Sequence, residues 1–143
     1  MISTKGRYAL RVMLDLAEQD PEKFIPLKDI AERQGISKKY LEIILKSLVQ
    51  HNFLKGLRGK GGGYKLTRNP SEYTVEEILE LTEESLAIVS CLKKGAIPCE
   101  RKSYCLTLPM WEKFDKLVHD FFTGITLADL LDIPKNKETF QSV

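Results

Sequence analysis

The stretch PLKDIAERQGISKKYLEIILKSLVQHNFLKGLRGKGGGYKL, Pro26 to Leu66, decides the fold. Pro26 supplies a first-turn residue with φ already fixed, and Leu27, Ile30 and Ala31 share one face, so a short helix is predicted over 27–34, ended by Gly35. Ser37 caps a second helix. In it Leu41, Ile44, Leu45, Leu48 and Val49 recur at i, i+3, i+4, i+7 and i+8, a single apolar stripe at helical period. Lys38, Lys39, Glu42, Lys46 and Gln50 face away from that stripe. Two short helices joined by Gly-Ile-Ser make a helix-turn-helix.

Working toward the C-terminus, Phe53 to Leu57 and Tyr64 to Thr67 read as short strands. The connection Arg58-Gly-Lys-Gly-Gly-Gly can take φ > 0 at four positions while carrying two cations, which makes a basic hairpin, or wing. Glycines let a backbone approach phosphate closely, and a guanidinium at the tip of a narrow loop suits the negative potential of a minor groove. Arg58, Gly59 and Lys60 are therefore candidate DNA contacts; an ordinary solvated turn is the alternative. In the second helix Lys38, Lys39, Tyr40, Glu42 and Ile43 occupy the first turn and a half, where such a helix meets base edges and flanking phosphates, and Lys46 follows one turn later. A carboxylate there can accept from cytosine N4, so Glu42 is either a specificity residue or a surface acid paired with Lys38 or Lys46.

The net charge of +2 conceals an asymmetry. Residues 1–68 hold 14 Lys and Arg against 7 Asp and Glu, a balance of +7, whereas residues 69–143 hold 8 against 13, a balance of −5. The basic half is the half with the helix-turn-helix, as expected for a phosphate-binding face. At 143 residues the chain suits one core, or a small domain with a helical extension. Neither a signal-peptide pattern nor an apolar run long enough to span a bilayer is present, which predicts a cytoplasmic protein without a membrane partner. No nucleophile-base pair, phosphate loop or paired carboxylates at catalytic spacing point to an enzyme.

On the N-terminal side, Ser3 or Thr4 begins a helix running to about Glu18 that is apolar over more than half its circumference. Lys5, Arg7 and Arg11 near its start are either phosphate contacts or solvated charges. Past the wing, Thr74-x-x-Glu77 is a capping box opening a helix to about Thr82. Glu72, Glu76, Glu77, Glu80, Glu83 and Glu84 form an acidic surface facing away from DNA. Periodicity then fails from Ser85 to Tyr104. Pro109 sits just inside a new helix, closed by Gly124, whose stripe of Trp111, Phe114, Leu117, Val118, Phe121 and Phe122 is more than so small a monomer can cover. It is expected to pack on its own copy across a two-fold axis, giving a homodimer. Thr126 to Leu131 is a last short helix, Pro134 stops it, and a polar tail follows. His51 closes the recognition helix as a partner of its dipole, and His119 reads as a surface or interface residue.

Of the three cysteines, Cys91 and Cys99 lie in the aperiodic segment and Cys105 directly follows it. An odd number in a cytoplasmic chain argues against a disulfide framework, and a loop with Gly95 and Pro98 can turn three sulfurs toward one point. Thiolates ligate iron-sulfur clusters, and Lys93, Lys94, Arg101 and Lys102 would offset a cluster's negative charge. A tetrahedral zinc site with an unidentified fourth donor, and reactive or structural thiols, stay open beside the cluster.

Ser3 to Leu10, Ile30 to Ser37 with Tyr40-Leu-Glu42, and Arg58 to Tyr64 resemble the start, helix-turn-helix and wing of the winged-helix repressor family that includes IscR, NsrR and CymR. The resemblance spans roughly residues 1–132 and is most specific in the N-terminal half. It implies a mainly α fold, with a winged helix-turn-helix domain at 1–83, a cysteine-containing sensor loop at 84–106, a dimerisation helix and short terminal helix at 107–132, and a tail at 133–143. It further implies a homodimeric regulator, as a rule a repressor, of pseudo-palindromic double-stranded DNA, and base discrimination by the acid matching Glu42. The three cysteines would hold a [2Fe-2S] or [4Fe-4S] centre sensing redox, iron-sulfur or nitric oxide status. The fourth ligand departs from the pattern: the family's histidine falls at Leu108 and its first-helix acid at about Arg7, and neither can ligate. Glu100, Ser103, Thr107 and Glu112 are the nearby oxygen donors, and water or a small thiol could also serve. Such a centre is labile, so a form crystallised in air is expected without it. The competing expectation is a cofactor-free regulator or zinc-containing interaction module that takes its signal from a partner protein, as in CymR.

Overall fold

The computed structural model describes residues 2–133; the expected stop at Pro134 and the tail lie outside them. Six α-helices, α1 (Thr4–Ala17), α2 (Leu27–Gln34), α3 (Lys38–Gln50), α4 (Val75–Thr82), α5 (Leu108–Thr123) and α6 (Leu127–Leu131), accompany one antiparallel hairpin, β1 (Leu54–Leu57) with β2 (Gly63–Leu66). The architecture is the mainly α winged helix-turn-helix that the sequence predicts.

The helix-turn-helix forms for the expected reasons, with one difference of position. Pro26 is the N-cap of α2 and not its first turn, while Gly35 ends α2 in the left-handed conformation at φ 64°. Ser37 accepts a hydrogen bond from Tyr40 N and so caps α3. Leu41, Ile44, Leu45 and Leu48 are fully buried and Val49 half-buried, packed with Ala9, Val12 and Met13 of α1 and Ile30 of α2. Each such side chain stabilises the fold by roughly 1.5–3 kcal/mol.

Polar ties add orientation to this core. Asp15, which the apolar reading of the first helix passes over, is buried on α1 and clamped by Arg33 of α2, with Nε to Oδ2 at 3.0 Å and Nη2 to Oδ1 at 2.8 Å. Gln34 Nε2 donates to the same carboxylate at 2.8 Å. Arg11 donates to the backbone and side-chain oxygens of Gln34, at the α2 terminus where free carbonyls need donors. Glu83 accepts from Ser3 N and Ser3 Oγ, both at 2.8 Å, closing the start of α1. Gly6 lies where a Cβ would collide with Glu83 and crowd Leu79, which explains a glycine inside a helix.

The wing is anchored at both ends. Strand pairing runs Leu54↔Leu66 to Leu57↔Gly63, and Ile25 bridges to Tyr64 as a third segment. Gly59, Gly61 and Gly63 take positive φ; Gly62 does not, and is required for another reason, since a Cβ there would strike the Leu57 carbonyl oxygen. Tyr73 is fully buried, donates to Phe53 O at 2.7 Å and accepts from Thr67 N and Arg68 N, tying the base of the hairpin to the start of α4.

Beyond α4 the chain is loop with one short 3-10 turn at Ser90–Leu92, until α5. None of the residues of α5 is buried, and Met110, Phe114, Leu117 and Phe121 are exposed. Its end is the right-handed Gly124, at φ −80°, so glycine there is not demanded by backbone geometry. α6 returns to the N-terminal core: Leu127 is fully buried and Leu127 N donates to Tyr73 O at 3.1 Å. Among the described residues no helix is long and apolar enough to cross a membrane.

Arg33→Met should leave Asp15 buried beside Gln34 alone and destabilise the fold by about 1.5–3 kcal/mol, read as a lower urea midpoint with unchanged slope. An unchanged midpoint would refute the clamp.

Candidate DNA-reading face and cysteine loop

The charged side of α3 and the wing line one open groove. Glu42, Lys46, Gln50, Leu57, Arg58 and Gly59 share its wall, with a volume of about 730 Å³. Lys38, Lys39, Glu42, Ile43, Lys46, Arg58, Gly59 and Lys60 are all exposed, and Ile43 and Leu57 are large apolar side chains left in solvent at 52% and 49%. Tyr40 differs: it is half-buried, with its ring edge-on to Tyr8 at 5.8 Å. Among the described residues no ion pair joins Glu42 to Lys38 or Lys46, so the expected alternative of a paired surface acid is not formed. His51 caps α3 and its Nδ1 lies 2.9 Å from Ser47 O, consistent with its expected place at the helix C-terminus.

At the far end, Cys91 and Cys99 are exposed and Cys105 is half-buried. All three line one cavity of about 150 Å³, together with Lys102, Leu108 and Glu112. Of the four oxygen donors expected near the loop, Glu112 is the one that lines it. The sulfurs are not drawn onto a single point. Among the described residues only Glu76, Glu80 and His119 bring three potential ligand atoms within 4.8 Å of one another. Tetrahedral zinc, with Zn–S bonds of about 2.3 Å, requires sulfurs about 3.8 Å apart. A multi-iron cluster takes its thiolates on different irons and spans a wider set. Three thiols and a carboxylate around one small cavity, with a lysine beside them to offset negative charge, fit such a cluster better than a single ion.

Cys105 is linked directly to α5. Its Sγ lies 3.4 Å from Thr107 Oγ1. Hydrogen bonds from the Thr107 side chain, then from the Thr107 and Leu108 backbone, and the charge of Arg101 hold the thiol below its ordinary range, against a smaller opposing effect of desolvation. The Cys105 sulfur thus lies beside the N-cap of α5, where helix N–H groups are unpaired. Sequence reading identifies the cysteine and misses this placement.

The acidic surface expected over residues 72–84 needs one correction. Glu76 is buried, facing His119 across α4 and α5, and its Oε1 is hydrogen-bonded to His119 Nδ1. Helical period on α4 was the available signal, since Glu76 falls beside the inward-facing Val75 and Leu79.

A helix-turn-helix whose polar face opens beside a basic wing defines a DNA-reading protein of the winged-helix class. The model of the Rrf2 family, described as an iron-dependent transcriptional regulator, matches residues 2–133, and the chain belongs to that family. It is 39% identical over 130 residues to a putative HTH-type transcriptional regulator of Azotobacter vinelandii, covering 91% of this chain and 78% of the relative. It is 38% identical over 137 residues to the regulator IscR of Pectobacterium atrosepticum, covering 96% and 80%. Among solved structures it superposes on T. potens IscR with a TM-score of 0.71, at 35% identity, covering 99% of this chain and 90% of that one. The global cysteine regulator CymR of B. subtilis gives 0.72 at 32% identity, covering 91% and 95%. These relatives are named as transcriptional regulators, not as enzymes, and the chain is a transcriptional regulator of this type.

In metal-free protein, Cys105 should react with iodoacetamide at a lower pH than free glutathione, followed by peptide mass spectrometry. Thr107→Val should move that profile upward; an unmoved profile would show that Thr107 does not set the thiol.

Proposed function

We propose that the protein is a homodimeric, cytoplasmic repressor whose grip on a pseudo-palindromic duplex is set by an iron-sulfur cluster on Cys91, Cys99 and Cys105. The carrying observation is the cavity that unites the three cysteines beside the first turn of α5. The names of the IscR relatives support the cofactor class.

On the reading face, Lys38 and Lys39 approach the phosphates flanking the first turn of α3. Glu42, free of a lysine partner, accepts from an exocyclic amine such as cytosine N4, while Ile43 offers apolar contact to a thymine methyl. Tyr40, seated on Tyr8, serves through its hydroxyl at the edge of the groove. Arg58 with Gly59 and Lys60 enters the adjacent minor groove. Across the two-fold axis the exposed faces of α5 from each protomer cover one another, which sets the spacing between the two reading heads.

A bound cluster would supply iron responsive to oxidants, nitric oxide and iron supply. Cys91, Cys99 and Cys105 would hold it, and Glu112, which lines the same cavity, would complete it, with Lys102 offsetting its charge. Cys105 keeps negative charge on the α5 N-terminus in its thiolate form. Protonation or release of that sulfur alters the end of the helix that spaces the heads, and only states differing in that spacing can differ in affinity.

Anaerobically purified protein should be coloured and contain iron and acid-labile sulfide, and Cys99→Ser should lose the visible absorbance. A colourless, iron-free chain, or an unchanged spectrum in the variant, would favour the cofactor-free, partner-signalled alternative. Arg58→Ala should weaken binding to the tightest-bound duplex by about 1–3 kcal/mol in fluorescence anisotropy; undiminished affinity would remove the wing from the interface.

A further inference from the structure

Away from the cysteine loop, α4 and α5 carry a second group of ligand-type side chains. Glu76 and Glu80 stand one turn apart on α4, and Asp115 and His119 one turn apart on α5, so each pair occupies one face of its helix. One donor atom from each of Glu76, Glu80 and His119 lies within 4.8 Å of the other two. His119 Nδ1 bonds Glu76 Oε1, and His119 Nε2 lies 3.7 Å from Asp115 Oδ2.

Glu76 makes this more than an acidic cluster. Its side chain is only 10% exposed, and its second oxygen, Oε2, is buried with no hydrogen-bond partner. An orphaned buried carboxylate oxygen is costly, and a natural core seldom keeps one without use. Burial pushes the Glu76 carboxyl above its ordinary range, against the opposing pull of His119. Among the described residues no Lys or Arg forms an ion pair with Glu76, Glu80 or Asp115; Lys116 is bonded to Asp120, and Lys93 and Lys94 line the cleft that Glu80 and His119 share without bonding either. The buried carboxylate of Glu76 therefore has the imidazole as its one bonded partner.

We propose that Glu76, Glu80 and His119 bind a divalent first-row transition-metal ion between α4 and α5, with Asp115 as a further donor. One imidazole with carboxylates selects ions of the zinc, iron(II) or manganese(II) type over calcium and magnesium, which take oxygen alone. Glu80 is exposed, so it supplies the solvent-facing donor of the group. The ion gives the buried Glu76 carboxylate a cationic partner and fastens α4 to α5. This assignment does not depend on the cysteine loop holding a cluster.

The test uses the full chain with Cys91, Cys99 and Cys105 all changed to Ser, so that the loop cannot compete, stripped with chelator and titrated with Zn²⁺ and Co²⁺. Calorimetry should give one ion per chain and thermal melts a higher midpoint. The Co²⁺ form should show weak visible bands without sulfur-to-metal charge transfer. Within that background His119→Ala and the exposed Glu80→Gln should each weaken binding at least about tenfold while the metal-free melt stays cooperative. No uptake at millimolar Zn²⁺, or uptake equal in both variants, would overturn the site.

Discussion

Everything in this molecule hangs on the burial of one stripe of α3. Leu41, Ile44, Leu45 and Leu48 are sunk to essentially zero exposure against α1 and α2, and at roughly 1.5–3 kcal/mol apiece no rotation of the helix about its axis is affordable. The rotational setting of the opposite face follows. Lys38, Lys39, Glu42, Ile43 and Lys46 are held outward whether or not DNA is present, because the core has claimed the other side. The Asp15–Arg33 clamp and the Arg11 contacts to Gln34 then hold α2 at its angle to α1. Ile25 and Tyr73 fix the wing against the same body, so α3 and Arg58 present a single rigid groove.

The second half of the chain is built on a different principle. α5 fully buries no residue of its own within the protomer: Trp111, Val118 and Phe122 are half-buried, while Met110, Phe114, Leu117 and Phe121 are exposed. Its N-cap Thr107 is joined to Cys105, and its fourth turn reaches Glu76 through His119. These two contacts tie α5 to the cysteine loop at its start and to α4 further along.

Much of this was legible in the residues. Ser37, Gly35 and the spacing from Leu41 to Leu48 predicted the helix-turn-helix nearly to its ends, because caps and period are local properties. Thr74 with Glu77 did the same for α4. Pairings distant in sequence were not legible. Asp15 with Arg33, Glu83 with Ser3, and Tyr73 with Phe53 each join segments whose proximity only the folded chain creates. Gly62, one of four glycines able to take positive φ, does not take it and is needed for close approach instead. The burial of Glu76 escaped for the same cause: glutamate in an acidic run reads as surface until a histidine from 43 residues away is brought to it. Of the cysteine loop, the three thiols were evident from the residues, and the contact of Cys105 with the N-cap Thr107 of α5 was not.

The central claim is that duplex recognition by the N-terminal face depends on the state of the cysteine loop. The most direct measurement is selection from a random duplex library with anaerobically prepared protein, repeated after removal of its iron. The account predicts enrichment of an inverted repeat whose retention changes when the iron is withdrawn. Equal retention of all sequences, regardless of iron, would contradict it.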